Sequence, residues 1–146
     1  YSGETSMDYN MVSAEEFGKS LTGLGVNIIV KSPAQTALFL EVVFGLYPNL
    51  LSADFALIRY QNDIFQLHSD TSFAAHPSYP LLPENPPRSA DIEIRLYNSN
   101  PDQPCTQAQA YGYMVLAPAT DKPHGLLEAT ILCPDGYIWV PSHPLA

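Results

Sequence analysis

The sequence predicts an α+β fold in which two similar blocks of strand, helix, strand and strand lie side by side and form a cup. The first observation is the end of the chain, where the strands Leu126–Leu132 and Tyr137–Val140 flank a turn at Pro134-Asp135-Gly136. The second is that the same order of strands, helix-ending glycines and turn residues occurs twice. The matching pairs are the strands Val26–Lys31 and Ile92–Tyr97, the helix ends Gly45 and Gly112, and the turns Asn62-Asp63 and Asp135-Gly136.

The first block follows a polar, irregular tail, Tyr1–Val12, and a short helix through Ser20. Ser13 caps that helix, and Glu16 completes a capping box with it. The main helix, Pro33–Phe44, opens on a Ser-Pro pair and stops at a glycine, as helices often do. The expected strands are Val26–Lys31, Leu50–Ser52, Asp54–Tyr60 and Ile64–Ser69, of which the last two form a hairpin across Gln61-Asn62-Asp63.

A crossover, Asp70–Ser89, separates the blocks, and its five prolines favour an extended chain without regular pairing. The second block is expected to contain the strand Ala90–Tyr97, the helix Asp102–Tyr111, the strand Tyr113–Leu116, the loop Ala117–Pro123 and the final pair. The sequence therefore predicts a tail and short helix over residues 1–23 and a single domain over residues 24–146. Within the domain, the modules are expected at 24–70 and 90–141, with the crossover at 71–89.

Charge and composition narrow the classes of partner. Six Lys+Arg against fifteen Asp+Glu give a formal charge of −9, which disfavours nucleic acid and favours metal ions or basic organic molecules. No apolar run approaches the ~20 residues of a membrane span, and no signal peptide is expected. The two cysteines do not make a disulfide framework, which favours a reduced, cytoplasmic protein. No nucleophile-elbow, P-loop or C-x-x-C motif occurs.

The chain resembles the vicinal oxygen chelate superfamily, which includes glyoxalase I, extradiol dioxygenases and bleomycin-resistance-type binding proteins. The resemblance runs from Leu24 to Pro141. Its carriers are Val26-Asn27-Ile28-Ile29-Val30, Ala37 and Phe39, Phe44-Gly45-Leu46, Pro123-His124-Gly125-Leu126-Leu127-Glu128, and Pro134-Asp135-Gly136-Tyr137-Ile138-Trp139. Cys133 stands where the family usually has an aspartate. The resemblance implies two βαβββ modules whose curled mixed sheets enclose a cavity, and a homodimer.

Enzymes of this family hold a divalent metal ion with up to four side chains, one from each of four strands. Alignment of the strands places Gly25, Gln66, Asp91 and Val140 at those positions. One carboxylate, one amide and two residues without ligand atoms fall short of the three good ligands of a catalytic site. The expectation is therefore a protein without a metal cofactor. The alternative is a displaced site for Zn, Ni, Fe or Mn built from His68, Asp91 and Glu93, which would serve a lyase, isomerase or dioxygenase.

Strand alternation predicts which side chains line the cup and which, such as Leu67, Ile92 and Trp139, pack under the helices. The expected ligand-binding set is Asn27, Gln66, His68, Asp91, Glu93, Arg95 and, with its direction left open, Glu128. The aromatic loop Phe73–Tyr79 offers a cover for the opening. The favoured function is the binding of a small molecule, and the sequestration of a basic drug or metabolite would suit the acidic charge. Besides the metal-dependent enzyme, the alternatives are an ion pair Glu93–Arg95 without a ligand and a dimeric scaffold with a vestigial cup.

Overall fold

The fold consists of two four-stranded mixed sheets, each with a helix, in a computed structural model that describes residues 8–146. The elements are α1 (Ala14–Ser20), β1 (Asn27–Val30), α2 (Pro33–Phe44), β2 (Asn49–Ser52), β3 (Phe55–Tyr60), β4 (Asp63–Ser69), β5 (Glu93–Tyr97), α3 (Asp102–Ala110), β6 (Val115–Asp121), β7 (Leu126–Leu132) and β8 (Ile138–Pro144). The strand orders are β1-β4-β3-β2 in module one and β5-β8-β7-β6 in module two. In each module the first strand runs parallel to the last, so the two βαβββ modules that the resemblance implies are confirmed.

Helix α2 begins and ends where the sequence predicted. The Ser32 hydroxyl accepts a hydrogen bond of 3.2 Å from the Gln35 amide, and Pro33 occupies the first turn. Gly45 ends the helix with φ +69°, a left-handed conformation that glycine adopts without strain. Local capping residues therefore define both ends of this helix.

Three predicted strand boundaries in module two are wrong. Strand β5 starts at Glu93, and Ile92, expected to be buried, lies before it with 65% of its surface exposed. Strand β6 covers most of the segment Ala117–Pro123 that was expected to be a loop. It is an edge strand with irregular pairing to β7, which is where a proline such as Pro118 is tolerated. Strand β8 continues beyond Val140 to Pro144.

One hydrophobic core is shared by the two modules. The Phe39 ring of α2 meets Tyr113 edge-on at 4.9 Å and lies 6.2 Å from Trp139 of β8. Phe65 of β4 lies 5.7 Å from the same indole, and the Gln107 amide of α3 donates to the Val42 carbonyl at 3.2 Å. Trp139 is fully buried, as its strand position predicted. The modules therefore form a single packed unit.

Reciprocal hydrogen bonds join the end of each module's first strand to the hairpin turn of the other. The Tyr137 hydroxyl donates to the Ile29 carbonyl at 2.6 Å, and the Lys31 amide donates to the Asp135 carboxylate at 2.7 Å. In the opposite sense, the Tyr60 hydroxyl donates to the Tyr97 carbonyl. These bonds tie the end of each edge strand, β1 or β5, to the other module.

The crossover is anchored at its end by Arg88, whose side chain is 1% exposed. Its guanidinium donates two hydrogen bonds to Asp70, at 2.6 and 2.5 Å, and one to the Ile29 carbonyl at 3.3 Å. Next to it, Gly136 has φ +84°, and a Cβ there would lie 2.5 Å from the Pro87 Cα, so only glycine fits. The start of the crossover is not extended as expected, because it contains short 3-10 turns at Thr71–Phe73 and Tyr79–Leu81.

Two further findings concern the lengths of the helices and the N-terminal end of the described chain. Within residues 8–146, no helix is long and apolar enough to cross a membrane. The predicted tail Tyr1–Val12 falls partly outside the described residues, but Tyr9 within it is 9% exposed and packs on module one.

Candidate functional site

Each module has one sheet face packed under the helices and a second face pointing away from them. In module one, Ile28, Val30 and Leu67 belong to the core, so their neighbours along the strands form the opposite side, called face one. The side chains of face one are Asn27, Ile29, Phe55, Leu57, Arg59, Ile64, Gln66 and His68. The corresponding face two in module two is formed by Glu93, Arg95, Tyr97, Met114, Leu116, Glu128, Thr130, Ile138, Val140 and Ser142.

Face one brings three of the predicted residues together. Asn27 and Gln66 are register partners on the parallel strands β1 and β4. The His68 ring donates from Nε2 to Oε1 of Gln66 over 2.8 Å, and its ring lies 4.9 Å from Phe55. Phe73 of the crossover meets the same imidazole at 5.5 Å. Burial lowers the pKa of His68, so near neutral pH it is an uncharged ring in an aromatic setting.

Residues 8–25, called the arm, cover part of face one. Tyr9, Val12 and Phe17 of the arm pack with three residues of face one: Phe55, Leu57 and Ile64. The Tyr9 and Phe17 rings meet edge-on at 5.5 Å, and Phe17 lies 6.3 Å from Phe55. Leu57 is consequently 1% exposed although it points away from the main core.

Face two brings three other predicted residues into one charged network centred on Arg95. Its guanidinium donates to Glu93 at 2.9 Å and also to Glu128 on β7. Since β8 lies between β5 and β7, this side chain crosses over β8, where Val140 and Ser142 are fully buried. The direction of Glu128, which the sequence left open, is therefore toward face two.

The charges of this network do not cancel. Two carboxylates face one guanidinium, and His124 reaches Glu128 at 3.2 Å. Burial raises the pKa of Glu128, but hydrogen bonds from Arg95 and His124 outweigh it and hold that pKa below its ordinary value. For Arg95, burial lowers the pKa, but the hydrogen bonds to Glu128 and Glu93 raise it by more, so the net shift of the pKa is upward. Both side chains are therefore charged, and face two carries one negative charge when His124 is neutral.

Around the network, face two offers apolar surface and one unsatisfied hydroxyl. Tyr97, Met114 and Leu116 are each more than half exposed. The Arg95 guanidinium lies 5.6 Å from the centre of the Tyr97 ring. The Ser142 hydroxyl is buried and has no hydrogen-bond partner among the described residues. A partly apolar molecule with a polar head would find both kinds of contact here.

The residues present do not fit the divalent metal that this architecture holds in enzymes. In module one, register pairs Gln66 with Asn27, so two amides are neighbours, and in module two it pairs Val140 with Arg95, an isopropyl group with a guanidinium. Asp91 lies exposed before β5, where its amide donates to Ser89 at 3.4 Å. Across residues 8–146, no three His, Cys, Asp or Glu side chains are grouped closely enough to hold a metal ion. The alternative set His68, Asp91 and Glu93 is therefore not assembled.

Two features of the molecule were missed by the sequence analysis. The Arg88–Asp70 pair was not foreseen, although a lone arginine in a proline-rich crossover was a signal for a buried role. The hydrogen bond from Arg88 holds the pKa of Asp70 below its usual value. A cavity of about 450 Å³ beside the arm was also missed, since its lining, which includes Tyr9, Leu46 and Arg59, comes from distant segments.

Comparisons with known proteins give a fold but no sequence relative. No family model and no curated protein matches the sequence. A glyoxalase/bleomycin resistance protein/dioxygenase family enzyme from Burkholderia phytofirmans PsJN superposes with a TM-score of 0.71 at 13% identity, over 83% of this chain and 97% of that one. A glyoxalase/bleomycin resistance protein/dioxygenase from Nocardioides gives 0.64 at 17% identity over 90% and 91%. A glyoxalase-related enzyme from Fulvimarina pelagi gives 0.66 at 16% identity over 84% and 87%. Likeness at these identities establishes the fold alone.

Proposed function

We propose that this chain, which has the fold of the vicinal oxygen chelate superfamily, binds a small cationic organic molecule on face two without a metal ion. The observation that supports this proposal is the excess of carboxylate around Arg95. The structural neighbours carry glyoxalase, bleomycin resistance and dioxygenase names, and those activities belong to those proteins. The charge and shape of face two favour binding over their metal chemistry.

The excess negative charge gives the cation a place to bind. Glu93 has a half-exposed side chain, and its described hydrogen bond to Arg95 uses one carboxylate oxygen, Oε1. The other oxygen faces no described donor, so an ammonium or amidinium group can pair with it without displacing Arg95. The formal charge of −9 adds a long-range attraction that raises the rate of encounter.

The apolar rim accommodates the rest of the molecule. Tyr97, Met114 and Leu116 expose surface on the same side of the sheet as the carboxylates. An aromatic face next to a cation contributes about 0.5–1 kcal/mol at an exposed site, and buried carbon adds to it. A ligand with one positive group and a compact hydrocarbon body therefore matches face two better than a neutral or anionic one does.

The metal-dependent lyase, isomerase or dioxygenase is the weaker alternative because its ligand set is not brought together. A working metal centre needs about three protein ligands around one point, and neither the family positions nor His68, Asp91 and Glu93 provide them here. Metal analysis of the purified protein tests this reasoning. A stoichiometric divalent ion that is lost in His68→Ala would contradict it.

A matched pair of probes tests the proposal directly. Cyclohexylamine is positively charged at pH 7, and cyclohexanol has nearly the same shape without the charge. We expect cyclohexylamine to raise the melting temperature of the full chain and cyclohexanol to leave it unchanged. Glu93→Gln should weaken cyclohexylamine binding about tenfold, or ~1.4 kcal/mol. Glu41→Gln removes the same charge from the exposed side of α2 and serves as the control. Equal responses to the two probes would exclude a cation site.

Homodimer formation and a cytoplasmic location stay predictions from the resemblance and the composition. Sedimentation equilibrium at micromolar concentration decides the first, since a dimer doubles the 16.0 kDa mass of the chain. The same measurement with and without cyclohexylamine shows whether the ligand changes the association state.

A further inference from the structure

The charged network on face two extends beyond Glu93 and Arg95 to a histidine at its edge. The His124 Nε2 atom lies 3.2 Å from Oε2 of Glu128, and the same oxygen accepts a hydrogen bond from Arg95. Arg95 in turn donates to Glu93, the carboxylate at which the proposed cation binds. His124 is therefore one end of a continuous row of polar contacts that leads to the proposed cation site.

The turn between β6 and β7 holds His124 next to Glu128. The Gly125 amide donates to the Lys122 carbonyl at 3.0 Å, and the Lys122 amide donates to the Leu126 carbonyl at 2.8 Å. Gly125 has φ +89°, a left-handed conformation that glycine adopts without strain. These backbone hydrogen bonds fix the chain on both sides of His124. Its side chain is 53% exposed, so the imidazole can exchange protons with solvent.

The other charges around His124 lie further along the network, in the turn or on the opposite face of the sheet. Among residues 8–146, Glu128 is the one acidic side chain within ion-pair distance of the His124 ring. Asp121 and His143 both pair in register with Leu127, so their side chains point to the face opposite that of Glu128. The charged and titratable groups near His124 are Glu128 of β7, Arg95 and Glu93 of β5, Asp121 of β6, Lys122 of the turn, His143 of β8 and the chain end at Ala146.

Protonation of His124 removes the excess negative charge of the network. Two carboxylates, Glu93 and Glu128, face one guanidinium while the imidazole is neutral. Histidine side chains gain their proton as the pH falls through the range of about 5–8. A protonated His124 donates a charge-assisted hydrogen bond to Glu128. The network then has as many positive as negative groups, so the attraction that draws a cation to Glu93 becomes weaker.

We propose that His124 makes the binding of the cationic molecule depend on pH. The molecule binds face two while His124 is neutral, and it is released as His124 takes up a proton from solvent. Binding and protonation are linked reciprocally, so the cation in turn expels the proton of His124, which passes to the buffer. The switch rests on the proposed function of face two, since it acts on the same site.

The test measures the affinity of cyclohexylamine for the full chain by isothermal titration calorimetry at pH 8 and pH 5.5, at low ionic strength. Cyclohexylamine stays positively charged across this range, so the ligand itself does not titrate. The unaltered chain should bind it about fivefold more weakly at pH 5.5, because one positive charge is added near a partly exposed site. His124→Gln should bind it equally at both pH values. Equal affinity at both pH values in the unaltered chain overturns the switch.

A second histidine and the retained carboxylate provide the controls. His143→Gln makes the same change on the opposite face of the sheet and should keep the pH dependence of the unaltered chain. Glu93 is still present in His124→Gln, so a pH dependence that arises from this carboxylate would persist in that variant. A fall in affinity at pH 5.5 that persists in His124→Gln, or that disappears in His143→Gln, overturns the assignment to His124.

Proton release is a readout that a purely structural role of His124 would not change. At pH 6.5, the binding heat of the unaltered chain should differ between phosphate and ACES buffers, because their ionisation enthalpies differ and the buffer takes up the expelled proton. His124→Gln should give equal heats in the two buffers, and equal heats in the unaltered chain would overturn the switch. Absence of cyclohexylamine binding at pH 8 would refute the cation site and the switch together. Binding at pH 8 that does not depend on pH would refute the switch alone.

Discussion

The two modules share one sheet topology, but the faces that point away from the helices differ in what covers them. Face one lies partly under the arm, and its apolar residue Leu57 is 1% exposed. Among residues 8–146, no segment covers face two in this way, and a charged network spans its centre while Tyr97, Met114 and Leu116 remain exposed. The same backbone therefore presents a mainly apolar and aromatic surface, with Arg59 beside Ile64, in one module and a negatively charged surface in the other. Side chains, and not the fold, set the chemistry of each half.

The largest expected effect tests whether the two modules unfold as one unit. Phe39→Ala removes the ring that joins Tyr113 and Trp139, so it should cost about 3–5 kcal/mol of unfolding free energy. Urea denaturation followed by Trp139 fluorescence and by far-UV circular dichroism should give coincident transitions. Leu38→Ala, an exposed neighbour on the same helix, should stay within about 0.5 kcal/mol. Two separate transitions in the unaltered protein would show that the modules are independent.

The next effect concerns the junction between the modules. Arg88→Ala leaves the Asp70 carboxylate without its partner, and we expect a loss of about 2–3 kcal/mol, reduced from a fully buried pair because Asp70 is partly exposed. Asp70 has a folded pKa below 3.8, so the pair stabilises the protein fully above that pH and progressively less as the pH falls through the depressed pKa. Below about pH 4, the unfolding free energy of the variant should therefore depend less on pH than that of the unaltered chain does. Lys19→Ala, which breaks an exposed pair in the arm, is the control and should change stability little.

A smaller effect comes from the network on face two. Glu128→Gln should cost about 1 kcal/mol near neutral pH, because the amide oxygen still accepts a hydrogen bond from Arg95. The folded pKa of Glu128 lies below its ordinary value of 4.5, so its contribution is present above pH 4.5 and disappears as the pH falls through the folded pKa. Chemical denaturation at several pH values should show that the unfolding free energy falls less steeply toward acid pH in the variant than in the unaltered chain. An equal fall in both proteins would mean that Glu128 does not bind Arg95 as described.

The smallest effect on stability distinguishes binding from folding. The Glu93 side chain is half exposed, so Glu93→Gln should change the unfolding free energy by no more than about 0.5 kcal/mol. The same variant is expected to lose most of its affinity for cyclohexylamine. A large loss of stability with unchanged binding would assign Glu93 a structural role and refute its role as a ligand-binding residue.

Local sequence signals predicted most of the architecture. The caps of α2 were predicted correctly, and the alternation of apolar residues along the strands placed Leu67 and Trp139 in the core. Those signals act through neighbouring residues, so they are readable in one sequence. The continuation of edge strand β6 beyond Leu116 was predicted as a loop, because its pairing with β7 is irregular and its residues are not strongly apolar.

The candidate sites were predicted less completely because they depend on distant partners. Alternation correctly put Gln66, His68 and Arg95 on the faces away from the helices. It could not show that Arg95 reaches across β8 to Glu128, or that a separate arm lies on Leu57. Asp91 was counted as part of a strand, and the bend before β5 leaves it exposed.

The most direct test of the difference between the faces is a map of backbone amide chemical shifts of the full chain during titration with cyclohexylamine. We predict that the largest changes occur at Glu93, Arg95, Tyr97 and Glu128, and that Leu57, Gln66 and His68 do not respond. Changes centred on Leu57 and His68, or no saturable change at Glu93 and Arg95, would contradict the assignment of the cation site to face two.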